Sequence, residues 1–360
     1  MNAEAGIVTH LGHEETGEGA LRVREFSPSD RDRWDAFVNA CQSATFFHYC
    51  GWRDVIQQAF RHKPRYMYAE RNGRIEGILP LVHLRSLLFG NALISTPFCV
   101  YGGIAAATEE AHNALAEAAR TLAEDLRVDY LEYRNRDRRD SDMVPKDLYV
   151  TFRKSLSADV DANMRAIPRK QRAMVRKGIK AGLRSEVDDG VDRFYAAYAE
   201  SVRNLGTPVF GIRYFRLLKK AFGDRCDILT ITKDGRLISS VLSFYFRDEV
   251  LPYYGGGVLE ARQVKGNDFM YWELMRRSAE RGVRAFDFGR SKVDSGSYSF
   301  KKNWGFDPEP LHYQYHLVRA GELPDVSPRN PKYRLFIAAW KRLPVQVSKL
   351  LGPMVARNLG

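Results

Sequence analysis

Cysteine is nearly absent. The chain of 360 residues holds four, Cys41, Cys50, Cys99 and Cys226, far apart and without a C-x-x-C pair. That spacing argues against a disulfide framework or a thiolate zinc site, and reduced, buried thiols are the expectation. Long apolar runs are missing too. Nowhere do about 18 apolar residues follow one another, which removes a transmembrane helix. The start, Met1 to Gly19, is rich in Glu, Gly and His and lacks the apolar centre of a signal peptide, so a cytoplasmic protein is expected. No Ser-His-Asp or Cys-His set is evident. The histidines His312 and His316 sit in an alternating, strand-like run that would hold their rings about 13 Å apart, so no metal site is expected there or elsewhere. Acid is in deficit: 56 Lys and Arg against 44 Asp and Glu leave a net charge of +12. The partner is therefore expected to be anionic: nucleic acid, a phosphorylated co-substrate or a membrane surface.

What is present is core-forming material. With 44% hydrophobic and 12% aromatic residues, a chain of this length can bury two domains. After the start (1–20, read as mobile), the order is strand, two short helices and a hairpin turned at Asn72-Gly73. Then follow Tyr101-Gly102-Gly103, a long helix from Thr108 to Leu126, and the strand Asp129 to Arg134. The second half repeats this order. Asp234-Gly235-Arg236-Leu237 answers Asn72-Gly73-Arg74-Ile75, and Tyr254-Gly255-Gly256 answers Tyr101-Gly102-Gly103. A helix and an aromatic strand with one acid, Glu132 or Asp287, follow in each half. Four features in shared order indicate a duplicated α/β unit. The units are placed at 21–155 and 156–320, with a tail at 321–360.

Between the copies, 159–182 reads as a basic helix with Arg165, Arg169, Arg172 and Arg176 three or four apart on one face. A solvated face and a phosphate-contacting face both fit that spacing. The tail carries Leu335, Phe336, Trp340, Leu350, Leu351 and Val355 among Lys and Arg. It reads either as a helix packed on the catalytic domain or as a peripheral contact with the inner face of a membrane.

The densest chemistry lies in 286–306. Asp287 alternates with Phe286 and Phe288, which places its carboxylate on the strand face opposite the rings. Arg290, Ser291, Lys301 and Lys302 bracket the Gly/Ser loop that follows, and loops on rigid scaffolds are where sites collect. Further back, Gln263-Val264-Lys265-Gly266-Asn267-Asp268 opens a helix, where free N–H groups can receive phosphate. This loop partly matches the Gln-x-x-Gly-x-Gly/Ala pyrophosphate cradle of GNAT acyltransferases; Asp268 replaces the last small residue.

Taken together, Tyr254-Gly255-Gly256, Tyr271-Trp272-Glu273, Phe286-Asp287-Phe288-Gly289 and Phe300-Lys301-Lys302-Asn303-Trp304-Gly305-Phe306 resemble the FemAB family. Ala44-Thr45-Phe46-Phe47-His48, Ile167-Pro168-Arg169-Lys170-Gln171-Arg172 and Asn204-Leu205-Gly206-Thr207-Pro208 resemble its members associated with exosortase/PEP-CTERM exopolysaccharide loci. The resemblance runs from about 21 to 318. It implies an α/β (α+β) fold of two tandem GNAT-like domains with mixed sheets. It also implies acyl or aminoacyl transfer from aminoacyl-tRNA or acyl-CoA, a co-substrate rather than a bound cofactor. The acceptor would be an amine or hydroxyl of an envelope or exopolysaccharide precursor.

Such transfer passes through a tetrahedral oxyanion and needs no covalent enzyme intermediate. Lys301 holds the family's F-K-x-x-F/W-G position and is expected to offset the oxyanion. Asp287 is expected to orient the acceptor or a cation such as Arg290. Tyr254, Arg290, Ser291, His48, Trp52 and Tyr101 are expected around the substrate. Gln263, Lys265, Gly266 and Asn267, with Arg169, Arg172 and Arg176, are expected around the donor. Where the peptidoglycan enzymes carry an acceptor-binding lysine, this chain has Ile56. A non-catalytic scaffold in an envelope-polymer complex is the reading from another class.

Overall fold

The computed structural model describes residues 19–86, 90–139, 142–323 and 331–358. Residues 1–18 of the expected mobile start, and Pro324 and Pro328 of the tail, lie outside them.

The first half runs β1 (Arg22–Glu25), α1 (Arg31–Ala40), α2 (Gly51–Phe60), β2 (Lys63–Arg71), β3 (Arg74–Ser86), β4 (Gly90–Ser95), β5 (Ala105–Ala106), α3 (Glu109–Asp125), β6 (Tyr130–Asn135), β7 (Val144–Lys146) and β8 (Tyr149–Ser155). The second half runs α4 (Val160–Ala166), α5 (Arg169–Lys180), β9 (Arg184–Val187), α6 (Asp192–Leu205), α7 (Ile212–Phe222), β10 (Cys226–Lys233), β11 (Arg236–Phe246), β12 (Glu249–Gly257), α8 (Ala261–Val264), α9 (Gly266–Glu280), β13 (Ala285–Asp287), β14 (Ser291–Lys292), α10 (Gly296–Asn303), β15 (Pro308–Pro310), β16 (His312–Leu317), α11 (Pro331–Trp340) and α12 (Val345–Ala356).

These elements form two mixed sheets, ordered β1-β2-β3-β4-β6-β16-β7 and β14-β8-β13-β12-β11-β10-β9. Each holds an antiparallel meander followed by one parallel pair, β4 with β6 or β12 with β13, joined through a helix, and continues antiparallel beyond that pair. The two hairpin turns match in geometry. Asn72 and Gly73 have φ of 50° and 76°, and Asp234 and Gly235 have 49° and 75°. Positive φ at both central residues is what a two-residue hairpin requires of the right-handed strand twist, and Asn-Gly and Asp-Gly supply it cheaply.

The units exchange strands. β8, on the N-terminal side of the expected boundary at 155/156, pairs with β13, β14 and β15 in the second sheet. β16, near the C-terminus, inserts between β6 and β7 in the first. One large core runs across both units, and Phe46, Phe47 and Trp52 of the first half meet Phe222 and Phe244 of the second there. The interface is thus core, and the halves are fixed against each other.

The basic segment is two helices. Pro168 cannot continue α4 and biases Ile167 towards extended backbone, as observed at ψ 131°. Arg165 therefore leaves the expected single face and pairs with Asp159 at 3.1 Å.

Candidate active site

The parallel pair of the second sheet opens a cleft. β12 and β13 are paired only at Glu249–Ala285 and Val250–Phe286, whereas β12 stays paired with β11 as far as Gly257. One backbone edge of β12 is thereby freed from Leu251 onward. A bulge skips Tyr253 in the register with β11, which sharpens the local twist and turns the strand away from β13. Pro252 to Gly255 and Phe288 to Arg290 face each other across a cavity of about 420 Å³, a size that suits a small acyl group and its acceptor.

The corresponding wedge of the first sheet is filled. Beyond the last β4–β6 pair, Ile94–Glu132, the chain folds back into the gap. The Gly102 N–H donates to the Arg134 carbonyl at 2.8 Å, and the Arg134 N–H donates to Ser95 Oγ at 2.9 Å. Arg134 Nη1 donates to the Cys99 carbonyl at 2.8 Å, while its Nε is paired with Glu132 at 2.7 Å.

Lys301 projects into the open wedge from α10. The segment is helical there because Ser295 Oγ accepts the Tyr298 N–H and starts a helix. The lysine is 8% exposed. Its Nζ donates to the Gly289 carbonyl at 2.7 Å and to the Arg290 carbonyl at 3.1 Å, with Phe152 and Phe288 rings beside it. Burial strips water from the ammonium and lowers its pKa to about 7. Asp287 nearby counteracts that shift, and Arg290 adds to it. Two of the three donor positions on Nζ are engaged. The third is an N–H when the group is charged and a lone pair when it is neutral.

Asp287 is fully buried. Its carboxylate accepts from Tyr101 Oη at 2.7 Å, Thr151 Oγ1 at 3.1 Å and the Gly289 N–H at 2.7 Å, with Arg153 Nε at 3.5 Å. It therefore does not orient Arg290, contrary to the expectation from sequence; it ties Tyr101 of the first unit to the loop whose Gly289 carbonyl holds Lys301. Arg290 instead lies over the Tyr149 ring at 4.5 Å and donates to Tyr313 Oη at 3.0 Å. No carboxylate pairs with it among the described residues. Arg134 reaches the same cavity from the first unit. The wedge thus has more positive than negative charge at its walls.

The expected site residues divide between this cleft and its surroundings. Tyr254, Arg290 and Lys301 line it, and Tyr254 Oη meets Tyr214 Oη at 2.9 Å. Tyr101 and Ser291 are buried and do not line the cavity. His48 and Trp52 belong to the core. Nδ1 of His48 accepts the Thr45 N–H, closing a capping turn, and its Nε2 faces the Gly103 carbonyl at 3.3 Å. Burial lowers the pKa of this imidazole to about 4, so it is neutral near pH 7. Trp52 packs against Phe47, Phe222 and Phe244. Sequence reasoning missed Arg134 and Phe98 and Phe210, all on the cleft wall. Arg134 sits two residues beyond Glu132, which the internal repeat had marked.

The loop at 263–268 does not line the cleft either, and its residues fit a phosphate poorly. Asp268 already places a carboxylate in the first turn of α9, where it accepts from Gln171 of α5. Gly266 serves packing rather than ligand approach. A Cβ there would lie 2.4 Å from Ile238 Cγ2. Gly266→Ala is accordingly expected to destabilise the protein by about 1–3 kcal/mol in urea unfolding, with little change in any ligand affinity. Arg169, Arg172 and Arg176, with Lys177 and Lys180, line a separate groove on the outer face of α5. None of these five has an acidic partner among the described residues. Gln171, Val175 and Gly178 face α9 on the other side.

Comparison places this geometry among known folds. Residues 167–302 match the model of an acetyltransferase (GNAT) domain family. No curated protein matches the chain in sequence. Among solved structures, FemX superposes over 88% of this chain and 100% of its own, with a TM-score of 0.67 at 15% identity. The C-terminal domain of a putative lysylphosphatidylglycerol synthetase from Agrobacterium fabrum gives 0.55 at 13% identity, covering 81% of this chain and 92% of that one. A tandem GNAT protein from the clavulanic acid biosynthesis pathway gives 0.53 at 14%, covering 84% and 100%. The fold is therefore a tandem GNAT fold.

Proposed function

We propose that the protein is an acyltransferase that moves an aminoacyl group from aminoacyl-tRNA to an amine or hydroxyl of an envelope or exopolysaccharide precursor, with the chemistry in the wedge between β12 and β13. The observation that carries the reading is Lys301, buried in that wedge with one free position on Nζ. With a pKa near 7, the neutral amine can take the proton that the acceptor loses as its N or O bonds to the donor carbonyl. It can return that proton to the ribose oxygen as the ester C–O bond breaks. Arg290, a permanent cation in the same cavity, offsets charge on the tetrahedral oxygen.

The choice of donor rests on two further features. Asp268 and Gln171 occupy the helix start where a CoA pyrophosphate would lie. The unpaired cations of α5 offer a track for a phosphodiester backbone, and Pro168 at its start packs on Gly305, just beyond α10. The match to a GNAT acetyltransferase domain favours acyl-CoA as the second reading.

Single-turnover transfer from labelled aminoacyl-tRNA, run beside labelled acetyl-CoA, separates the two. Replacing Arg169, Arg172 and Arg176 together by Ala is expected to weaken tRNA binding at least about tenfold and to flatten its log–log salt dependence by about 2. Filter binding between 50 and 200 mM salt measures both. An unchanged salt slope would contradict the tRNA reading.

A further inference from the structure

The C-terminal helix is apolar on both sides. Its inner face carries Ser348, Gly352 and Ala356, all buried, and lies so close to the core that a Cβ on Gly352 would stand 2.7 Å from Val209. The Arg357 carbonyl faces His62 Nε2 of the first unit at 2.6 Å, and the Lys341 carbonyl accepts from Arg203 of the second at 3.1 Å, so the chain is fastened to the body of the protein just before and just after α12. Roughly opposite, at 100° per residue, the outer face presents Val347, Leu350, Leu351 and Met354. Leu350 is 73% and Met354 67% exposed. Leu335 of α11 and Leu205 at the end of α6 are also exposed, and the neighbouring Gly206 lies against Ile337 of α11. A helix that is hydrophobic all round is ordinarily covered on both sides.

Charge says what covers this one. From 331 to 360 the sequence has no Asp or Glu, and Lys341, Arg342, Lys349 and Arg357 are distributed along and beside α12. A second copy would bring the same cations against these, in a chain already at +12, which opposes self-association through this face. Large aliphatic side chains projecting between cations suit a bilayer interface with anionic headgroups. Trp340, which sequence alone offered to the membrane, takes no part. It is buried and stacks on Phe336 at 5.1 Å.

We infer that the outer face of α12 is a docking surface for an anionic lipid bilayer, holding the protein peripherally at a membrane. The inference is independent of the proposed chemistry. The full chain should co-sediment with phosphatidylcholine vesicles containing phosphatidylglycerol and much less with pure phosphatidylcholine, and added salt should release it. Leu350→Asp with Met354→Asp, both exposed and remote from the core, should lower partitioning at least about tenfold with an unchanged unfolding midpoint. Lys341→Ala with Arg342→Ala should lower it several-fold and reduce the salt effect. Failure to sediment with either vesicle, or sedimentation indifferent to Leu350→Asp/Met354→Asp, would overturn the inference. So would a dimer in analytical ultracentrifugation that the same pair dissolves, because the face would then belong to a second copy.

Discussion

Lys301→Met is expected to lower the single-turnover transfer rate by about 10²- to 10³-fold while the protein stays folded. Methionine fills the same slot between Phe152 and Phe288 but can neither accept nor donate a proton in the wedge. In the native enzyme the rate should rise with pH through about 7, the range in which burial places the lysine, and the variant's residual rate should lose that inflection. Stability carries a signature of the same sign. The folded pKa lies below the ordinary lysine value of about 10.4, so the cost of burying the ammonium is fully present below about pH 7. It is relieved as pH rises towards 10. Measured by urea unfolding, native stability relative to Lys301→Met should therefore increase with pH across that window, by up to about 1.4 kcal/mol per unit. A flat difference would place the lysine in water.

Asp287→Ala is expected to be the most damaging single change to the fold, at about 3–5 kcal/mol. It leaves the Tyr101 and Thr151 hydroxyls and the Gly289 N–H without their shared acceptor in a fully buried place. Because the Gly289 carbonyl in turn holds Lys301, the rate should fall even where the variant remains folded. Asp287→Asn keeps one acceptor oxygen and the side-chain shape, so it should retain most of the stability and part of the rate. Denaturant melts and single-turnover rates on both variants separate the structural loss from the catalytic one. Equal stability of Asp287→Ala and the native protein would show that this carboxylate does not join the two units.

Much of this was legible in the residues. The Asn72-Gly73 and Asp234-Gly235 turns announce their backbone geometry, and their repetition with Tyr-Gly-Gly and an acid-bearing strand shows the duplication. The alternation Phe286-Asp287-Phe288 correctly puts the carboxylate away from the rings. What covers that other face was not legible: Tyr101 arrives from the first unit across nearly two hundred positions of chain. The exchange of β8 and β16 was hidden for a related reason, since strand pairing is non-local and neither strand's pattern names its sheet. His48 and Trp52 looked like cleft residues because polar and aromatic types also serve in cores. Only the packing of Phe222 and Phe244 around Trp52, and the bonds of His48 to Thr45 and Gly103, tell the difference. Gly266 resembled a phosphate cradle for the same kind of reason: a glycine forced by a neighbouring Ile238 and one forced by a ligand read alike.

On this mechanism the wedge holds a lysine able to gain and lose a proton near neutrality. Nitrogen-15 NMR of the lysine Nζ groups, followed from pH 5 to 11 in the native protein and in Lys301→Met, tests it most directly. One resonance should titrate close to pH 7 and vanish in the variant. If every lysine of the native protein titrated above pH 10, the account of the wedge as a proton-transfer site would be contradicted.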